Sequence, residues 1–253
     1  MDKHDLYELC VQSPRHLVPL LRAVHSRNPL TLGEDFSGTA SLSQAWVDAA
    51  PDRLAIATDI DPSVLARRPE HPRLIKRPND IRQTCDNADL IFAGNFSIGY
   101  MHTRAELIGY LQHVRSRLLP GGCFCCDTYG GESAFLTGSV QRDHFAPDGS
   151  RILYIWEQRQ ANPLTGRVVD VLHFHIERDG IIEEEFPDAF IYDWRLWSVP
   201  ELRDAMREAG FRDTAVYLNL PDAEDEAGEQ YAFPIDDPDE LEDSFIVIVA
   251  ARV

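Results

Sequence analysis

The sequence predicts an α/β fold, a three-layer αβα sandwich around a mostly parallel seven-stranded sheet with its last strand antiparallel, plus an antiparallel β insertion and N-terminal helices. Three observations carry this expectation. Short apolar runs at residues 30–32, 54–57, 73–76, 88–93 and 123–127 alternate with stretches of helical periodicity, which implies parallel strands covered on both faces. From residue 151 the alternation gives way to β-rich runs separated by Asn162-Pro-Leu-Thr-Gly and Arg178-Asp-Gly, the punctuation of an antiparallel meander. It resumes with a helix at 198–209 and strands at 211–218 and 245–250, so the meander interrupts the α/β domain.

Taken in order, residues 3–25 place Leu6, Leu9, Cys10, Leu17, Leu20, Leu21 and Val24 at helical spacing, with a break at Pro14. They form a helical cover over residues 1–28. The first strand at 30–32 runs through a tight turn, Ser37 to Thr39, into a helix at 40–50 with Leu42, Ala45, Trp46 and Ala49 on one face. Next come a strand at 53–59, a short helix at 62–67, strands at 73–76 and 88–93, a helix at 103–119 closed by Pro120-Gly-Gly, and a strand at 123–127. The meander runs at 152–160, 167–177 and 181–192 form an inserted lid spanning 150–194. Ser198 with Glu201 is a capping box, Pro200 suits the first turn, and Gly210 closes the helix. The chain, 1–253, is expected to be a single domain with an acidic loop at 221–243.

Composition excludes several classes. A 44% hydrophobic content is ordinary for a globular protein, and no apolar run approaches the roughly 18 residues that span a bilayer. The polar N-terminus lacks a signal-peptide apolar core, so a cytoplasmic protein without membrane attachment is expected. Five cysteines in such a chain read as free thiols, with Cys123, Cys125 and Cys126 packing as small apolar residues of a central strand. Net charge is −18, of which residues 221–243 supply eleven acids and no Lys or Arg. A chain so acidic repels nucleic acid, whose binding relies on Lys and Arg displacing counterions. His173 and His175 share one side of a strand, yet a packed pair is expected there, not a metal site.

The strand, turn and helix at residues 30–50, followed by Asp59 about 25 residues after Glu34, place an acid roughly where dinucleotide-type folds bind ribose hydroxyls. A nucleoside cofactor at the first turn follows. Gly38 is the only glycine between Glu34 and residue 50, so no G-x-G-x-x-G cradle for a pyrophosphate exists, which counts against NAD or FAD. A cofactor lacking phosphates but carrying an ammonium and a sulfonium would instead be met by Glu34 and Asp35.

These residues resemble the class I S-adenosylmethionine-dependent methyltransferases, in particular those acting on small molecules. The family's first motif, E/D-x-G-x-G-x-G, here reads Glu34-Asp-Phe-Ser-Gly-Thr-Ala, with Phe36 and Ala40 replacing two of the three glycines. A phenylalanine at the first glycine position also occurs in some nucleic-acid methyltransferases. The resemblance assigns Asp59 to the ribose hydroxyls, Ile60 to the adenine face, and Asp80 with Ile81 to the adenine amino group. In Ala88-Asp-Leu-Ile-Phe-Ala-Gly-Asn-Phe-Ser-Ile-Gly-Tyr, the residues after the strand, Asn95, Phe96 and Ser97, would face the methionine moiety and the substrate. Leu118-Leu-Pro-Gly-Gly-Cys and the segment from Trp197 to Phe211 are also similar, and together about 200 residues are covered.

The resemblance implies S-adenosyl-L-methionine as cofactor, S-adenosyl-L-homocysteine as product, and in-line methyl transfer to a small-molecule acceptor without metal. Tyr100, His102 and Tyr129 are the candidate bases if the nucleophile arrives protonated. Aromatic and acidic residues of the meander, Tyr154, Trp156, Glu157, Tyr192, Asp193 and Trp194, favour a cationic or amine-bearing acceptor if they reach the pocket. A homodimer is the expected assembly. The alternatives are a nucleic-acid or protein methyltransferase and a non-catalytic binding module on the same fold. Charge opposes the nucleic-acid reading, and no Asn-Pro-Pro-Tyr-like sequence follows the fourth strand.

Overall fold

In the computed structural model, which describes residues 1–253, strands β1 (Thr31–Asp35), β2 (Leu54–Asp59), β3 (Leu74–Pro78), β4 (Ala88–Ala93) and β5 (Leu118–Gly131) pair in parallel. Four further strands, β6 (Gly138–Phe145), β7 (Arg151–Asn162), β8 (Arg167–Arg178) and β9 (Ile181–Arg195), form a separate antiparallel sheet. Strands β10 (Asp213–Leu218) and β13 (Ser244–Arg252) complete the main sheet, in the order β3-β2-β1-β4-β5-β13-β10, and β11 (Ala223–Glu224) and β12 (Gln230–Tyr231) make a small hairpin. Only β13 runs against its neighbours, as predicted.

The chain divides into two compact units, residues 14–131 with 197–253 and residues 1–13 with 132–196. In the larger unit the helices are α2 (Pro14–His25), α3 (Ser41–Asp48), α4 (Pro62–Leu65), α5 (Arg104–Arg117) and α6 (Val199–Glu208). Side chains alternate between sheet faces with period two. Leu90, Phe92, Cys123, Cys125 and Ile248 pack with α2 and α3 residues such as Leu20, Leu21 and Trp46. Ile91, Ala93, Phe124, Cys126 and Val247 pack with Leu107, Leu111, Leu202 and Met206 of α5 and α6 on the other face. That alternation makes the three layers, and it places all three clustered cysteines in apolar core as free thiols.

Helix α5 starts at a capping box, Thr103 with Glu106, and ends at Arg117. The exit corrects the predicted Pro120-Gly-Gly stop, because Leu118 is already extended two residues earlier and β5 begins there. Gly121 then takes φ +79, a conformation that costs glycine nothing. The predicted capping box at Ser198 is present, with Glu201 accepting from the Ser198 N–H at 3.0 Å and its hydroxyl at 2.8 Å. Residues 221–243 are more than a loop: β11 pairs with β12, and Ile235 N–H donates to Val216 O of β10 at 2.8 Å.

In the smaller unit, α1 (Lys3–Cys10) contributes Leu6 to a core with Ile152, Leu172, Phe174 and Ile176. Its sheet contains the three predicted meander strands and one more, β6, whose residues are almost all exposed and therefore carry no apolar alternation to read.

Candidate functional site

Strand β1 sits where the sheet order reverses, with β2 on one side and β4 on the other. The helix after β1 packs on one face of the sheet and the helix after β4 on the opposite face. Divergence of those two connections opens a crevice at the carboxyl ends of the strands, where α/β sheets of this kind take ligands. Four non-glycine residues with left-handed backbone lie in the two turns there: Phe36 (φ 58°), Ala40 (φ 58°), Asn95 (φ 54°) and Phe96 (φ 60°). Such strain is held only where surrounding structure fixes it, and it concentrates at functional sites.

In the first turn, both members of the acid pair point into the protein. Glu34 accepts from the Ser43 N–H at 2.9 Å and the Ser43 hydroxyl at 2.5 Å, tying β1 to the first turn of α3. Burial pushes its carboxyl up to about 7, against the pull of those hydrogen bonds. Asp35 takes both ends of the Arg117 guanidinium, at 3.1 and 2.5 Å, and the Tyr110 hydroxyl at 2.8 Å, all buried. Phe36 takes the position of a motif glycine. Its ring stacks on Tyr100 at 5.7 Å and meets Tyr110 edge-on at 6.2 Å.

The acid that remains at the crevice is Asp59, part-exposed at the end of β2. One oxygen accepts from Gly38 N–H at 2.7 Å and the other from Asp61 N–H at 2.9 Å, which fixes the carboxylate beside the first turn with lone pairs to spare. Apart from its two chain neighbours, nothing lies within 4 Å of where a side chain at Gly38 would begin. Ser37 and Thr39, on either side, have buried hydroxyls without a hydrogen-bond partner. Ile60 is 74% exposed next to Asp59.

Beyond β3, Asp80 is paired with Arg82 at its guanidinium, whose hydrogen bonds hold the Asp80 carboxyl below the usual range. Ile81 is buried in the core face that α5 covers. In the turn after β4, Asn95 and Phe96 donate their N–H groups to one carboxylate, that of Asp127 in β5 just past its last pairing with β4, at 2.8 and 2.6 Å. Burial pushes Asp127 up to about 6. Ser97 is buried, and the short 3-10 turn Ser97–Tyr100 follows. Of the candidate bases, Tyr100 stacks on Phe36, Tyr129 meets Phe96 edge-on at 5.0 Å, and His102 immediately precedes the α5 capping box.

Sequence reasoning missed Asp127. Its only signal was an acid ending an apolar run at the carboxyl end of a parallel strand, which many strands show. His173 and His175, on β8, have other occupations: His173 Nδ1 accepts from the Asp188 N–H at 3.0 Å, leaving Nε2 to donate to Glu157 at 3.0 Å, and His175 lies 3.9 Å from Glu185.

The open volume at Gly38, the anchored Asp59 carboxylate and the absence of a phosphate cradle suit a nucleoside better than a dinucleotide. No family model matches the sequence, and no curated protein is similar to it. Solved structures are similar in fold. DesVI of Streptomyces venezuelae superposes with a TM-score of 0.69 at 16% identity, over 98% of this chain and 95% of that one. S-adenosylmethionine-bound CalS10, an amino pentose methyltransferase from Micromonospora echinaspora involved in calicheamicin biosynthesis, gives 0.68 at 15% identity over 99% and 96%. The sugar N-methyltransferase KedS8 of a Streptoalloteichus species gives 0.66 at 16% over 99% and 93%. The chain has the fold of the class I S-adenosylmethionine-dependent methyltransferases.

Proposed function

We propose that this chain is an S-adenosylmethionine-dependent methyltransferase whose acceptor is the amine nitrogen of a small molecule. The observation that carries the proposal is the Asp59 carboxylate, held by Gly38 and Asp61 N–H groups beside open volume at the sheet's switch point. In this reading Asp59 binds the ribose hydroxyls, Ile60 covers the adenine face, and Asp80 with Ile81 borders the adenine amino group. Asn95, Phe96 and Ser97 border the methionine end. Glu34 and Asp35 serve from beneath, fixing the Phe36–Ala40 turn through Ser43, Arg117 and Tyr110. The amine follows from the fold neighbours named as amino pentose and sugar N-methyltransferases.

Bound S-adenosylmethionine supplies an already activated methyl group, so the transfer needs no metal in this reading. What the protein contributes is alignment and exclusion of water. An amine that arrives protonated must lose its proton before its lone pair can attack, and Tyr100, His102 and Tyr129 are the candidate bases for that step.

The test is calorimetric titration with S-adenosylhomocysteine and with S-adenosylmethionine. Wild type is expected to bind both, and Asp59→Ala to bind at least about 30-fold more weakly, since hydrogen bonds to a charged group contribute about 2 kcal/mol or more. No heat at millimolar ligand would refute the proposal. Incubation of metabolite extracts with isotopically labelled methyl donor then identifies the product, and label on oxygen or carbon would refute the amine.

A further inference from the structure

Asp127 ends the core run of β5 one strand away from β4, and its two carboxylate oxygens are divided between consecutive backbone N–H groups, Asn95 at 2.8 Å and Phe96 at 2.6 Å. Those two residues are the consecutive left-handed non-glycine pair, at φ 54° and 60°. Backbone of that shape is disfavoured for residues with a Cβ and persists only when something outside the turn fixes it. A carboxylate is suited to the task, because N–H donors directed at a charged acceptor make the stronger class of hydrogen bond.

A second contact comes from the same strand. Tyr129, two residues after Asp127, sets its ring edge-on to that of Phe96 at 5.0 Å. Residues two apart on a strand point to one side, so one edge of β5 holds the main chain of Phe96 with a carboxylate and its side chain with an aromatic ring. The turn is closed from within by Ser97 N–H to Gly94 O at 3.2 Å and Gly99 N–H to Phe96 O at 2.9 Å. A Cβ at Gly94 would lie 2.3 Å from the Phe92 ring, so a larger residue there would have to displace that buried ring. The first turn is organised the same way, with the Asp59 carboxylate taking Gly38 N–H from the next strand.

We infer that Asp127 is a positioning residue for methyl transfer: its carboxylate holds the Asn95–Phe96 turn in the shape that presents this segment to the methionine end of the cofactor and to the acceptor. The inference rests on the methyl-transfer reading for what the turn faces, while the hold itself does not. Loosening a turn that aligns reactants by about an ångström is expected to reduce kcat/KM about 10- to 100-fold, with the loss shared by kcat and not confined to KM.

The test combines Asp127→Asn, which keeps the shape of the side chain, with Asn95→Gly, which makes the left-handed conformation free of strain. Affinity for S-adenosylhomocysteine, kcat and KM are measured in a double-mutant cycle, and hydrogen exchange is read at the amides of residues 95 and 96. Support is a loss of about tenfold or more for Asp127→Asn in the Asn95 background that shrinks to about threefold or less in the Gly background. An equal loss in both backgrounds would overturn the inference in favour of direct contact with ligand, and no loss in either would overturn it outright. Should wild type bind no S-adenosylhomocysteine, the methyl-transfer reading fails by itself. Exchange at residues 95 and 96 then decides the hold, acceleration of about tenfold in Asp127→Asn supporting it and unchanged exchange refuting it.

Discussion

Glu34 occupies a buried site beneath α3 with Ser43 as its hydrogen-bond partner, and its titration has a defined effect on stability. The folded-state value is about 7 against 4.5 for the free side chain, burial being the main cause. A carboxyl raised in this way is stabilising while protonated. Its contribution is therefore complete below about pH 4.5 and is lost as pH rises through 7. At about 1.4 kcal/mol per unit, the loss across that window is about 3 kcal/mol. Glu34→Gln retains an oxygen for both Ser43 donors and carries no charge, so it is expected to exceed wild type in stability by about 2–3 kcal/mol at pH 8 and to match it near pH 4.5. Denaturant melts at the two pH values check this; the same difference at both would refute it. That an acid stands at position 34 is plain from the sequence, but its destination is not, since the partner is nine residues on and the burial comes from the layer above.

At the scale of elements, the end of β1 is joined to α5 by the Asp35–Arg117 pair. Both side chains are almost completely buried, at 1% and 5% exposure. A buried pair of this kind gives little net stability relative to an apolar pair, but removing one partner strands the other charge. Arg117→Met is therefore expected to cost about 3–5 kcal/mol, and Asp35→Asn in the Arg117→Met background to recover part of it. Equal stability of Arg117→Met and wild type in urea melts would show that Tyr110 alone suffices for Asp35. A second check concerns the end of β5, where Gly131 has φ 92° and a Cβ would lie 2.0 Å from the Asp243 carbonyl oxygen. Backbone cannot yield as a flexible side chain does, so Gly131→Ala is expected to lose about 2 kcal/mol or more. Elements with an apolar face were legible: β1, β2, β4, α5 and α6 follow from their periodicity. Strand β6 was not, because Gly138–Phe145 is polar and its strand character comes from pairing with β7.

At the scale of the molecule, the net charge of −18 is spread so unevenly that residues 221–243 carry eleven acids without a basic residue. A segment of that sign repels polyanions through ordinary Coulomb interaction. No helix is long and apolar enough to cross a membrane. Each unit has its own apolar core, two clusters flanking the main sheet and one in the smaller unit. A ligand bound at the carboxyl ends of β1 and β4 adds RT ln(1 + [L]/Kd) to the stability of the unit that holds it. S-adenosylhomocysteine at a hundredfold over Kd is thus expected to stabilise the larger unit by about 2.7 kcal/mol, seen as a higher melting temperature and slower exchange at the ends of β1 and β4. No shift at saturation would count against binding there.

The sequence by itself determined the layer order, the parallel sheet with a reversed last strand, the interrupting meander, and the turn and acid after β1 and β2, because these depend on local periodicity and on residues close together in the chain. Only the tertiary structure decided which acids remain at the crevice. Asp35 is withdrawn by partners 75 and 82 residues away, and Asp127 is recruited by N–H groups 31 and 32 residues away. The physical reason is that a carboxylate is claimed by whichever donors the folded chain brings within hydrogen-bond distance, and sheet order, which sets those neighbours, is not written in any local stretch of sequence.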